Sequence, residues 1–507
     1  MANQYHEDLS SKMVNERTIR LWVKSVFTCL VFPLFLAYGA AGSQAQGWTI
    51  VWTEPINLSV GTPGRSFQPM VVADRFGYVH VFWEESVELS PGVSGGYLFY
   101  TRWDGKQWSR PVDILLSPGV YSIVSKPCAT VDQDAGMLHL VWASSDRLLY
   151  SRAPVEEAQS ARNWSEPTTV AYGPVQDPYL IIHQGVLHLV YLDNGEEPGI
   201  YYTASQDRGD SWLAPVRLSP PTATRKPLPT VSETVQIRAD EQGRLHVVWV
   251  DRLDGGIYYT RSTNAGQSWE QPVELDNEGT WPSLGILGNQ VHVLWSATHE
   301  GPSCARRERI SPDGGLSWDQ MTRILAPVEG CLGWMTVEQD DTGALHLFTI
   351  GRDDHGIVRP YYARWTGTGW SEPEAVGTIA VKDGPEWQRK GPDRARASLG
   401  QGNLLHVVWY SNDGEIWYAR AQVSASGQSP APLPTRPATL LATPSATPTE
   451  TPMPPGTATP FAITRETRPP TQPGHGGSTL SPVLVGSGLT GFLVLLIILL
   501  TRKHHAR

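Results

Sequence analysis

The chain is predicted to be all-β, a seven-bladed β-propeller of four-stranded blades followed by a C-terminal transmembrane helix. Three observations predict the propeller. An apolar strand with histidine second occurs seven times, around His80, His139, His188, His246, His292, His346 and His406, as in Leu245-His246-Val247-Val248-Trp249. A tryptophan, mostly followed by x-x-Pro, also occurs seven times, at Trp52, Trp108, Trp164, Trp212, Trp269, Trp318 and Trp370. The histidines lie 59, 49, 58, 46, 54 and 60 residues apart, a variable period that suits a blade with loops of changing length rather than a helical solenoid.

Composition agrees with this reading. With 507 residues, 40% apolar and 18% charged, the chain can bury a large core, and 48 Gly, 41 Pro and 20 Trp fit many short strands, tight turns and a recurring aromatic position. A net charge of -10 without any basic cluster interleaved with aromatics gives no footprint for nucleic acid. The sequence has no Cys-x-x-Cys pair and no His-Glu-x-x-His helix, so neither a metal nor a cofactor is expected.

Arg17, Arg20 and Lys24 precede an apolar run from Val26 to Ala41, and Ser43-Gln44-Ala45 offers small residues at peptidase spacing, so residues 1–45 read as a signal peptide. Acidic Glu7, Asp8 and Glu16 leave two alternatives open, a start at Met13 or an uncleaved anchor. Residues 46–421 form the propeller. In each unit a first strand such as Val235 to Ala239 precedes the histidine strand, an aromatic third strand follows, and the fourth strand is expected to open with tryptophan. The seventh unit ends at Ile416-Trp417-Tyr418 with no Trp-x-x-Pro strand, whereas Trp52-Thr53-Glu54-Pro55-Ile56 stands without a blade. The N-terminal strand is therefore expected to close the last blade and remove an open sheet edge. Residues 422–479, rich in Pro, Thr and Ser, read as an extended stalk able to carry O-glycans. Residues 480–501 read as the membrane span: Leu480 to Leu500 is 21 residues without a charge, about 31 Å as a helix. The basic tail 502–507 then belongs on the cytoplasmic side, giving a single-pass type I protein of the cell membrane with its propeller outside.

The recurring histidines fall on a circle too wide to share one ion at ligand distances of roughly 2 Å, so packing and hydrogen bonding are expected of them. The recurring tryptophans are expected to fill the space between sheets, while Trp281 and Trp387 stand outside the repeat as candidates for stacking on a sugar. Cys128 in an apolar strand reads as a buried thiol, and Cys304 and Cys331, in loops of one unit, are candidates for a disulfide in an exported chain.

Ser205-x-Asp207-x-Gly209-x-x-Trp212 and Ser311-x-Asp313-x-Gly315-x-x-Trp318, with Ser262-x-Asn264-x-Gly266-x-x-Trp269 carrying Asn for Asp, resemble the Asp box of the sialidase superfamily, the bacterial neuraminidase repeat. Physically the box is a folding device, since Ser and Asp can hold a hairpin through its backbone and Gly can take a positive φ. The resemblance, over roughly residues 48–421, implies that the boxes lie opposite the functional face. That face is then formed by the loops from second to third strands and from fourth strands to the next first strands. It further implies an arginine clamp for a carboxylate, a tyrosine nucleophile with a glutamate partner and an aspartate acid/base. By position Tyr410 is the candidate nucleophile and Arg65, Arg252 and Arg352 the candidate clamp; no glutamate or aspartate is assigned to the remaining roles. The family's Arg-Ile-Pro signature is absent, and active sialidases have six blades where seven are counted here. Asp251 and Asp353, in charged loops, join Trp281 and Trp387 as candidate ligand contacts. The expectation is a surface-displayed propeller binding a carbohydrate or an extracellular protein on its top face. The alternatives are an exo-glycosidase of sialidase type and a structural scaffold.

Overall fold

The computed structural model describes residues 50–90, 93–116, 125–220, 235–251, 255–297, 304–326, 328–329, 334–424 and 431–434. The expected signal segment, most of the stalk, the C-terminal apolar stretch with its basic tail, Arg252 and Cys331 lie outside the described residues, among which no helix is long and apolar enough to cross a membrane.

Seven antiparallel sheets follow one another along the chain. Blade 4 shows the plan: Val235–Ala239, Leu245–Val250, Ile257–Ser262 and Val273–Asp276 pair in sequence order. The first strands of the other blades are Arg65–Ala73, Ser125–Asp132, Val175–His183, Thr280–Leu287, Met335–Gln339 and Pro392–Gly400. Each first strand touches those of the neighbouring blades, so together they wall a central channel. The ring closes as expected: Ile56–Asn57 pairs with Glu415–Gln422 of blade 7, Ile56 opposite Tyr418 and Asn57 opposite Trp417.

The second strand of each blade is covered on both faces by neighbouring blades, which is why it reads as an unbroken apolar run; all six residues of Leu245–Val250 are buried. Its histidine must then find a partner inside. Nδ1 of His80, His139, His188, His246, His346 and His406 lies 2.7–2.8 Å from the hydroxyl of Tyr100, Tyr150, Tyr202, Tyr259, Tyr362 and Tyr418 on the third strand, and in blade 5 Glu308 takes that place at 2.9 Å from His292. The same tyrosines receive the recurring tryptophans of the next blade. Trp108 packs on Tyr418, Trp164 on Tyr100, Trp212 on Tyr150, Trp269 on Tyr202, Trp318 on Tyr259 and Trp52 on Tyr362, with ring centroids 4.7–6.3 Å apart. At the blade 5–6 seam Trp370 Nε1 donates to Glu308 instead, at 3.1 Å. A His–Tyr–Trp rivet thus joins nearly every pair of neighbours.

One expectation is corrected. Tryptophan does not open the continuous fourth strand: Trp108 and Trp370 make isolated bridges to Trp103 and Trp365, but the strands begin four residues later, at Ile56, Val112, Thr168, Val216, Val273, Thr322 and Glu374. Six of the seven tryptophans have proline at the third following position, but the blade 5 strand starts equally late behind Met321, so the turn rather than proline sets this offset.

The three box turns have the hydrogen bonds that fold them. Ser311 Oγ donates to Asp313 (2.8 Å) and accepts from the Gly315 N–H (2.7 Å), and Asp313 accepts from the Ser317 N–H (2.8 Å). The turns at Ser205-Asp207-Gly209 and Ser262-Asn264-Gly266 repeat this arrangement. Residues 431–434, assigned by composition to the stalk, lie against the propeller: the Ala431 N–H donates to the Arg75 carbonyl, and Ala431 and Leu433 pack on the core shared by blades 1 and 2. Pro434 fits against Gly136. The chain therefore crosses beneath blade 1 after leaving blade 7, on the side of the turns between first and second strands.

Candidate functional site at the channel mouth

Five of the first strands begin with the same irregularity. The pairing register slips between Phe67 and Met70, Ser125 and Cys128, Gln176 and Tyr179, Thr280 and Ser283, and Asp393 and Ala395. At each bulge one non-glycine residue is left-handed: Gln68 (φ 51°), Lys126 (52°), Asp177 (53°), Trp281 (52°) and Arg394 (41°). A bulge re-aims a side chain, and left-handed backbone costs a bulky residue about 1 kcal/mol or more. The first four of these residues precede a proline, which restricts them further. Such strain, repeated around one axis at one end of the channel, marks that end as the candidate site.

Gln68, Lys126, Asp177, Cys128, Trp334 and Arg396 are among the residues lining a small open cup at this mouth. Lys126 and Asp177 form an ion pair across blades 2 and 3. The Arg396 guanidinium lies 3.4 Å from the centre of the Trp334 ring, with Arg394 at 5.8 Å from the same ring. Farther along its strand from the mouth, Arg238 of blade 4 reaches the Val337 carbonyl (2.6 Å) and the Glu338 carboxylate (2.8 Å) of blade 6, crossing the channel. Burial pushes the Cys128 thiol up to about 11, so it stays protonated at neutral pH and is no nucleophile there. Lys126 and Asp177 offset each other in charge, and Arg396 is the further cation that lines the cup.

Tyr410 stands beside this cup. It pairs in register with Asp393, the neighbour of Arg394, and its hydroxyl lies 3.5 Å from the Asp393 carboxylate. Its ring meets Phe67 edge-on at 5.7 Å, and Arg65 caps Phe67 at 5.3 Å while donating to the Asn412 carbonyl (2.7 Å). The structure therefore gathers Tyr410 and Arg65 at the blade 7–1 seam. Arg352 does not join them: it pairs with Asp383 of its own blade. Asp353 accepts from the N–H groups of His355 (3.0 Å) and Ile357 (2.8 Å), and Asp251 is buried with its backbone closing a turn on Gly255 and Gly256, so both hold hairpins. Asp353, Asp354 and His355 bring three potential ligand atoms close together, but the first is already occupied by that turn.

Trp281, expected outside the repeat, is the blade 5 bulge residue, with its indole N–H buried and without a hydrogen-bond partner among the described residues. Trp387, on the short helix α1 (Pro385–Lys390), packs on the blade 6–7 core and donates to the Pro392 carbonyl (3.1 Å), which gives it a structural task. Cys304 is disulfide-bonded; Cys331 lies outside the described residues. Lys126, Asp177 and Trp334 escaped the sequence reading. The signal for the bulges was present in Gln68-Pro69, Lys126-Pro127, Asp177-Pro178 and Trp281-Pro282, each eleven to thirteen residues ahead of a strand-two histidine.

No protein-family model and no curated protein sequence matches the chain. Solved structures of similar fold include a protein of unknown function from Dyadobacter fermentans, 15% identical, TM-score 0.44, covering 74% of this chain and 99% of that one. A Hadza microbial sialidase is 15% identical with TM-score 0.42, over 71% of this chain and 66% of its own. An ulvan lyase, a polysaccharide lyase, is 12% identical with TM-score 0.49, over 71% and 94%.

Proposed function

We propose that the protein is a surface-displayed propeller that binds an acidic carbohydrate at the channel mouth. The observation that carries this reading is the set of strained bulge residues around a cup lined by Lys126, Arg396 and Trp334, with Arg394 near the same indole. A guanidinium fork recognises a carboxylate or sulfate bidentately, and buried Trp334 holds the Arg396 fork in place. The box-like turns, and their likeness to the sialidase superfamily, support the same reading. Display on a stalk above a type I membrane helix belongs to this proposal, and the docking of residues 431–434 opposite the mouth supports it, because the mouth would then face away from the membrane. The test is a glycan array probed with the full chain and with Arg396→Met. Retention of acidic glycans by the wild type and about a tenfold loss in the variant is the expected result; equal binding of neutral and acidic glycans by both would sink the reading.

The second reading is an exo-glycosidase of sialidase type, favoured by one contact, Tyr410 beside Asp393 at 3.5 Å. Asp393 would accept the phenolic proton as Tyr410 Oη bonds to the anomeric carbon and the aglycone departs with a proton from an acid. Fluorogenic sialosides and a panel of other glycosides decide it: turnover by the wild type that falls at least 100-fold in Tyr410→Phe supports catalysis, and a well-folded wild type without turnover leaves ligand binding.

A further inference from the structure

Arg306, at the start of the third strand of blade 5, is 1% exposed, and no carboxylate faces it among the described residues. Nη2 donates to the Ile350 carbonyl of blade 6, Nη1 to Ser296 Oγ at 3.4 Å, and Nε has no partner. A guanidinium buried without a counter-charge is expensive, and Arg261, the other buried arginine among the described residues, has that cost offset by Glu270. Burial holds the Arg306 pKa down to about 10, which still leaves it charged at neutral pH. Its contacts lead toward the cup. The Ile350 carbonyl that accepts from Arg306 also accepts from Thr349 Oγ1 (3.2 Å), and the same hydroxyl reaches the Trp334 carbonyl (3.3 Å). Trp334 is the last described residue before the first strand of blade 6, and its ring carries the Arg396 guanidinium.

We infer that Arg306 is a positioning residue for the cup: through Ile350 and Thr349 it holds Trp334, and with it Arg396, and its charge, which meets no carboxylate among the described residues, favours an anionic group at the mouth. The inference rests on the acidic-carbohydrate reading for the ligand, but not for the hydrogen-bond relay. A residue that only glued blades 5 and 6 together would leave the mouth unaltered when replaced by a side chain that keeps the seam intact.

Two variants of the full chain test it, Arg306→Gln and the nearly isosteric Thr349→Val, the second guarding against a failure of the first to fold. The chain is labelled with 5-fluorotryptophan, and the Trp334 resonance is assigned by its loss in Trp334→Phe. Binding of N-acetylneuraminic acid is compared with that of its methyl ester. The expected result is a shifted or broadened Trp334 signal in both variants and, in Arg306→Gln, an acid-over-ester preference reduced about tenfold. An unchanged Trp334 resonance in a folded Thr349→Val protein overturns the relay whatever the sugars do. A wild type that binds neither sugar counts against the carbohydrate reading, while the resonance still decides the relay. An acid preference that survives in folded Arg306→Gln overturns the electrostatic half.

Discussion

Gly315 shows how much one residue can decide in this fold. Its φ is 93°, and a Cβ built there would stand 1.9 Å from the hydroxyl of Tyr259 in the preceding blade; Gly209 and Gly266 repeat the contact at 2.0 Å against Tyr150 and Tyr202. The box glycine thus serves the turn and the seam at once: it supplies left-handed backbone and lets the neighbouring tyrosine, already bonded to its histidine, come close. Gly315→Ala is expected to cost about 3 kcal/mol, from overpacking and backbone strain together, read as a lower urea midpoint with unchanged m-value. The contrast with the bulges is instructive, because Lys126, Asp177 and Trp281 accept left-handed backbone without being glycine. Lys126→Gly keeps the bulge and removes its backbone penalty but takes the ion partner from the buried Asp177 carboxylate, so the expected outcome is a net loss of about 2 kcal/mol alongside weaker retention of acidic glycans on the array.

At the level of elements, the closing strand and the strap secure the ring in different ways. Ile56–Asn57 is only two residues long, but it is flanked by the Thr53 N–H donating to the Arg420 carbonyl (2.9 Å) and the Leu58 N–H to the Ile416 carbonyl (2.7 Å), which lengthen the seam beyond the strand itself. Residues 431–434 add a second tie under blade 1, with Leu433 half-buried on the core of blades 1 and 2. Leu433→Asp should remove about 1 kcal/mol of apolar contact and lower Tm by only about 2–4 °C. Limited proteolysis is the sharper measurement: cleavage between residues 424 and 434 should accelerate in the variant, and equal rates would mean that the strap does not hold.

On the scale of the whole molecule, the seams make the propeller acid-sensitive. Burial holds His139 and His188 down to about 4 and His406 to about 3, against an ordinary 6.5. The unfolded chain takes up protons below pH 6.5 that the folded histidines refuse, so it binds more protons than the native state and stability rises with pH across that interval. Stability from these groups is therefore complete above about pH 6.5 and is lost as pH falls toward 4, and urea midpoints at pH 7.5, 5.5 and 4.5 should decline in that order; a flat series would show that the histidines titrate normally. The sequence by itself determined the class of fold, the number of blades and the strand that closes them, because alternating burial, turn chemistry and the His and Trp positions are written within each unit of chain. It also placed Tyr410 and Arg65 on one face, the face of the channel mouth. Only the tertiary structure decided the cup. Lys126 meets Asp177, Arg396 meets Trp334 and Phe67 meets Tyr410 across blade boundaries, and Arg352 turns to Asp383 although its loop resembled the others in charge. Local pattern records which face of a strand is buried, whereas a site around an axis depends on distances between side chains far apart in the chain, and those exist only once the ring has closed.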